Sequence, residues 1–277
     1  MAWHASLRLH YRRDGDTTRA HAEHHGPLRV LKALYPEGDA VCHHTVLHPP
    51  SGIVGGDVLD LSLTLEERAH AVLTTPGASR FYRCEGVDAT QSVNAVLRAG
   101  ARLEWLPQEN IAYSGTRMVN RQRFALEAGA EMFGWDVLAL GLPASAAPFV
   151  AGAIVQRVEV VGMWLEQARI DANDVLLLRS PLGLAGRSAI ATLWWACGSA
   201  PSAMRVSGAL EAARALLPRL DHSSLVVGVT QVHPQVVVLR ALAQQTEPLS
   251  QLLRAVRLVW RQALWGAAAV EPRVWST

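Results

Sequence analysis

A stretch of nine residues that recurs at a near-constant spacing does most to limit what this chain can become. Leu97-Arg98-Ala99-Gly100-Ala101-Arg102-Leu103-Glu104-Trp105 superposes on Leu126-Glu127-Ala128-Gly129-Ala130-Glu131-Met132-Phe133, 29 positions later. Leu65-Glu66-Glu67-Arg68-Ala69-His70-Ala71-Val72 fits the same frame 32 positions earlier, without the glycine. Each unit reads as strand, turn, strand. Three such units at a period of about 30 residues suggest stacked β layers or a β-helix-like solenoid. Three ordinary hairpins sharing a common turn are the other arrangement that fits.

The rest of the first two-thirds keeps a two-residue rhythm. Trp3, Ala5, Leu7 and Leu9 alternate with polar neighbours, as do Leu59, Leu61, Leu63 and Leu65, the pattern of half-buried strands. Turn residues punctuate it at Gly26-Pro27, Pro36-Glu37-Gly38, Pro49-Pro50, Gly55-Gly56, Pro76-Gly77 and Gly141-Leu142-Pro143. After about residue 200 the character changes. Ala209, Leu210, Ala213, Leu216 and Leu217 recur at helical spacing, with Pro218 as the stop. A second helix runs from Pro248, with Leu249, Leu252, Leu253, Val256, Val259, Trp260, Ala263 and Leu264 on one face and Gly266 ending it. Between them, Leu225-Val226-Val227 and Val236-Val237-Val238-Leu239 read as strands. The expectation is a mainly β, solenoidal body over 1–200 and a mixed α/β part with two helices over 201–277, together one domain.

Composition removes several function classes. A net charge of +2, with 26 basic residues scattered along 277, does not predict nucleic-acid binding. No apolar run of about 18 residues predicts a membrane span, and the first ten residues lack a secretory pattern, so a cytoplasmic protein is expected. Half the residues are hydrophobic and only 18% are charged, low for a soluble domain, which leaves apolar surface for a partner. Cys42, Cys84 and Cys197 make neither a disulfide framework nor a zinc site.

The candidate chemistry is sparse. Gly52-Ile53-Val54-Gly55-Gly56-Asp57 is glycine-rich, but an acid stands where a phosphate loop needs lysine, so a turn is the better reading. His24, His25, Cys42, His43, His44 and His48 crowd one region. His43 and His44 are adjacent and point to opposite faces of a strand, which argues against a tight metal site and leaves weak nickel contact, since imidazole suits nickel. No nucleophile elbow is present, and Cys84 has only Arg80 and Arg83 nearby to lower its pKa. Paired carboxylates such as Glu104 and Glu109, or Asp57 and Asp60, are available for acid/base work, with turn capping or a polar contact surface as the plainer reading. Arg254, Arg257 and Arg261 read as the solvated stripe of the second helix.

Several blocks of residues then resemble one family, that of the urease accessory protein UreD (also UreH). They are His25-Gly26-Pro27-Leu28-Arg29-Val30 with Leu34-Tyr35-Pro36-Glu37-Gly38, and Cys42-His43 with the run His48 to Asp57. They continue with Leu73-Thr74-Thr75-Pro76-Gly77-Ala78-Ser79-Arg80-Phe81-Tyr82-Arg83, Leu103 to Glu109, Gly134-Trp135-Asp136, Ser180 to Gly186, Gly228-Val229-Thr230-Gln231 and Pro272-Arg273-Val274-Trp275. The loop Gly141 to Ala147 departs from the pattern, lacking its arginine and acid. The resemblance implies a non-enzymatic scaffold with a β-rich stack and two C-terminal helices. It implies binding to the urease apoprotein and to UreF, contact with the GTPase UreG through UreF, and no tightly bound cofactor but a polar internal passage for transient nickel. Asp57, Glu104, Glu109 and Asp136, then His43 and His48, are the expected passage residues. Trp260, Trp265, Arg273 and Trp275 are the expected UreF-facing ones. A β-solenoid hydrolase or lyase using Asp57 or Asp136 is the competing reading.

Overall fold

The structure, a computed structural model, describes residues 2–50, 52–217 and 225–276. Among them, half-buried strands wind into a solenoid with two main walls. The first is a seven-stranded sheet in the spatial order Trp164–Asp171, Gly152–Val160, Thr116–Leu126, Ala89–Leu97, Val58–Leu65, His4–Asp14, Thr17–His25. The second runs Leu225–His233, Val236–Ala243, Ala189–Cys197, Glu131–Leu142, Arg102–Leu106, His70–Thr74, Val41–Leu47, Arg29–Val30. Short strands Gly52–Ile53, Ser79–Phe81 and Asn110–Ala112 pair in parallel along a third side.

The register carries the sequence repeat residue for residue. Leu65 pairs with Leu97, and Leu97 with Leu126, all in parallel. His70, Arg102 and Glu131 pair likewise on the second sheet. Between the two walls the chain turns a corner. There Ala69, Ala101 and Ala130 stack with no exposed surface, because nothing larger fits inside so tight a bend. The residue before each alanine takes a left-handed backbone: φ is 67° at Gly100, 74° at Gly129 and 58° at Arg68. The corner is therefore conserved in shape even where the glycine is lost, and Arg68 adopts a conformation disfavoured for side chains with a Cβ.

Two cores result. One fills the solenoid between its walls, with Leu7, Leu9, Leu61, Leu63, Leu103, Met132 and Ile154 among its members. The other lies on the outer face of the second sheet, beneath the helices α2 (Ala203–Arg214) and α3 (Thr246–Trp265) that follow the short α1 (Val175–Arg179). The second sheet is thus buried on both faces, as is usual where strands pair in parallel, and its middle strands from Val41–Leu47 to Glu131–Leu142 do so. Past Glu131–Leu142 its pairing becomes antiparallel.

Both expected helices are present. The Ser202 side chain caps α2 by accepting from Arg205 N, and α3 stops at Gly266 with φ 62°. Pro218 lies outside the described residues. The short α1, capped by Asp174, has too little length to announce itself by periodicity. Trp3 is a correction: at 53% exposure it precedes the first strand and does not share the inward face of Ala5, Leu7 and Leu9.

Candidate functional site

Inside the solenoid, three carboxamides stand in one row. Asn120 pairs in register with Gln91 on one side and with Gln156 on the other. Their strands turn these positions inward, along with buried Met118, Phe124 and Ile154. From the opposite wall Asp136 reaches toward them, 3% exposed. Gln122 Nε2 donates to its Oδ1 at 2.6 Å and Asn120 Nδ2 at 3.0 Å, while Asn110 Nδ2 stands at 3.5 Å. Gln156 Nε2 donates to Oδ2. Trp105 Nε1 holds Gln122 Oε1 at 2.9 Å, which fixes the direction in which that amide points.

Burial wins over these donors in setting the acid's state. Desolvation pushes Asp136 up from 3.8 to about 6, and the amides only partly offset it. Asn120 Oδ1 and Thr116 Oγ1 lie on the same inward face of one strand, two alternations apart, and each is buried without a hydrogen-bond partner, so unused oxygen acceptors line the interior. Asn110 also borders a cavity of about 400 Å³ between the walls, whose lining includes His48, Gln91, Ser92 and Trp105. His48 Nε2 is buried without a partner. Desolvation lowers the His48 pKa, with Asp57 pulling weakly the other way, which keeps its imidazole in the neutral, ligand-competent form.

Asp57, 1% exposed, does different work. Its Oδ1 accepts from Trp3 N at 2.7 Å and its Oδ2 from Val54 N at 3.0 Å. The glycine-rich turn is thus folded around this carboxylate and tied to the start of the first strand. Gly55 and Gly56 are required there, since a Cβ would come within 2.9 Å of Val87 O and of Ala2 Cβ respectively.

Glu104 faces away from Asp136, on the α3 side of the second sheet. Trp105 points into the solenoid and its neighbour out of it, as strand alternation demands. Arg257 Nε donates to Glu104 Oε2 at 2.6 Å, Arg261 Nη1 lies 3.5 Å from Oε1, and His70 Nε2 lies 3.3 Å from it. Arg261 also clasps Glu37 with both Nη atoms, at 2.9 and 2.5 Å, and His43 Nε2 meets the same Glu37 at 2.7 Å. Desolvation alone would raise both acids; the guanidiniums and imidazoles outweigh it and bring each to about 2. The reading of Arg257 and Arg261 as solvated is overturned, for each is 1% exposed. They follow Leu253 at steps of four, so they fall on the inward stripe, and the sheet meets them with carboxylates instead of apolar side chains.

The tryptophans offered for docking also turn inward. Trp260 is fully buried and donates to Ala209 O of α2 at 2.9 Å. Trp265 stacks on Phe133 at 4.1 Å and donates to Glu131 Oε2. Trp275 donates to Thr74 Oγ1 at 2.8 Å, stacks on Trp135 and lies under Arg254. Arg273 is exposed beside it. Internal anchoring accounts for all three rings, because the Trp260 indole N–H finds its acceptor on α2 and those of Trp265 and Trp275 find theirs on the second sheet.

The expected residues therefore divide. Asp136 and His48 face the interior, His43 and Glu104 belong to the ion network under α3, and Asp57 clamps a turn. Glu109 sits half-buried in the corner between Arg102–Leu106 and Asn110–Ala112, near Arg254. The four acids do not line one path, and Asp57 and Asp136 form no shared acid/base pair. Sequence reading missed Asn110, Asn120, Gln122 and Gln156, whose only signal was an amide at alternate positions of a strand. No group of three His, Cys, Asp or Glu side chains able to hold a metal is assembled among the described residues, and no helix among them is long and apolar enough to cross a membrane.

The chain matches the family described as UreD urease accessory protein over residues 4–276. It is 49% identical over 276 residues to the urease accessory protein UreD of Polaromonas sp. strain JS666, and 50% identical over 281 residues to that of Leptothrix cholodnii. A third relative of the same name, from Verminephrobacter eiseniae, is 50% identical over 278 residues. Each match takes in the whole of both chains. The chain belongs to the UreD family of urease accessory proteins.

Proposed function

We propose that this protein serves urease maturation in the cytoplasm as a scaffold that binds the urease apoprotein and UreF, engages UreG through UreF, and passes nickel through the solenoid interior. The family is one of accessory proteins, not enzymes, which sets aside the hydrolase or lyase reading. The observation that carries the passage is Asp136 in its ring of carboxamides, a buried acid among polar side chains inside the solenoid.

The chemistry of that ring suits brief occupancy. A carboxylate with amide oxygens beside it is a hard donor set that holds a divalent ion without the thiolates that would trap it. In the resting arrangement the amide N–H groups face Asp136. Rotation of Asn120 or Gln156 exchanges a donor for an oxygen, and the cation takes the place of the proton that burial favours on Asp136. His48 in the neighbouring cavity is the preceding contact. Glu104, with Glu37 and the two arginines, holds α3 and the tail Arg273–Ser276 against the sheet, and this layer is the surface we assign to UreF, with Trp260, Trp265 and Trp275 beneath it.

Asp136→Ala, co-expressed with urease and the remaining accessory proteins, lowers the nickel content of purified urease while the scaffold still co-purifies with its partners. Normal nickel loading with an intact complex removes the passage role from Asp136.

A further inference from the structure

A second constellation lies on the outside of the molecule, far from this interior. On the antiparallel pair formed by His4–Asp14 and Thr17–His25, His10 stands directly opposite His21. Leu9 and Tyr11 beside His10 are buried, so both imidazoles emerge on the solvent face, and both residues are exposed. Directly opposed residues on antiparallel strands have Cβ atoms about 5 Å apart, a separation that lets two imidazoles reach one ion.

Each ring is already backed by an acid. His10 Nε2 is hydrogen-bonded to Glu66 Oε1 at 2.9 Å, whereas His21 Nε2 lies 3.6 Å from Glu23 Oε1, an electrostatic contact longer than a hydrogen bond. An imidazole that gives its Nε2–H to a carboxylate presents Nδ1 as a free lone pair and becomes the more basic ligand for it, which is how metal-ligating histidines are commonly supported. The Nδ1 atoms of both rings have no hydrogen-bond partner among the described residues.

The geometry points to a surface chelate for a borderline divalent transition ion, with His10 and His21 as ligands and Glu66 and Glu23 as the groups that orient them. Imidazole pairs select nickel, copper or zinc over magnesium or calcium. The neighbouring rungs temper its strength: Arg8 lies 3.8 Å from Glu23, and Arg12 faces Arg19, itself tied to Asp14. These cations favour a site that loads and releases over one that stores. Binding also has a structural consequence, because Thr17–His25 is the edge strand of its sheet, and an ion shared between His10 and His21 pins that edge to the body.

Titration of the full chain with nickel chloride by calorimetry tests this. His10→Asn and His21→Asn each weaken binding by about tenfold or more, and the double variant is no weaker than the worse single one. His24→Asn, opposite inward-facing Leu7, leaves it unchanged. With copper(II) as probe, electron paramagnetic resonance shows coupling to two imidazole nitrogens in the native protein and fewer in either single variant. Nickel slows amide hydrogen exchange in Thr17–His25. The inference fails if both single variants bind nickel as the native chain does, if His24→Asn weakens binding equally, or if exchange in Thr17–His25 does not respond.

Discussion

Replacing Glu104 by glutamine tests whether the ion network under α3 is what holds the C-terminal layer in place. Glu104 has no exposed surface, and Arg257 and Arg261 are each 1% exposed, so loss of the negative charge leaves a guanidinium buried without its counterion. Breaking a buried pair in this way costs about 3–5 kcal/mol. The acid's own equilibrium gives a similar figure: a fall from 4.5 to about 2 corresponds to about 3 kcal/mol of preference for the charged form. Against a total of about 5–15 kcal/mol for a typical native protein, this is a large share. Urea unfolding at pH 7, followed by tryptophan fluorescence, should show a lower midpoint at unchanged slope. Because the folded pKa lies below the unfolded one, the native advantage over Glu104→Gln is fully present above pH 4.5 and is lost as pH falls toward about 2. The double change Glu104→Leu with Arg257→Met removes both charges, leaves Arg261 with Glu37, and should restore most of the lost stability, since apolar replacement of a whole buried pair is often neutral. A Glu104→Gln cost below about 1 kcal/mol would refute the reasoning, as would a double variant no more stable than the single one.

Two further outcomes follow from the interior and the corners. Asp136 behaves in the opposite sense to Glu104: with its pKa raised from 3.8 to about 6, its stability contribution is full below pH 3.8 and declines as pH rises through about 6. Asp136→Asn should therefore stabilise the protein by on the order of 2–3 kcal/mol at pH 7.5, with the gain gone by about pH 4, as read by thermal unfolding across that range; a destabilised variant, or a gain independent of pH, contradicts the burial account. At the coil corners, Arg68→Gly relieves a left-handed arginine but loosens the unfolded chain, for a net gain of about 0.5 kcal/mol, whereas Gly129→Ala at the equivalent corner loses about 1 kcal/mol. A Cβ at Gly129 meets nothing nearer than 3.5 Å, so that loss is backbone strain alone, and equal signs for the two changes in chemical denaturation would contradict it.

What could be read from the chain without coordinates is what the fold repeats. Stacked coils force equivalent residues into register, so Leu65, Leu97 and Leu126, with the alanines four residues on, recur at spacings that a reader of the sequence can count. Helix α3 was equally plain, because its apolar stripe and Gly266 are local signals. The parts that carry chemistry have no such redundancy. Glu37 meets Arg261 across 224 positions and Glu104 meets Arg257 across 153, and nothing near either end marks the partner. Alternation gives no help with these acids either: the second sheet is covered on both faces, by the solenoid interior and by the helices, so a polar residue on it need not face water. Asp136 and Glu104 look alike on paper, yet they lie on opposite faces of that sheet, one among amides that leave burial in control and the other among guanidiniums that overwhelm it. The difference between them follows from what covers each face, helix α3 with its arginines over Glu104 and the opposite wall with its amides over Asp136. The sharpest functional contrast in the molecule therefore arises from long-range pairing laid over a locally legible scaffold.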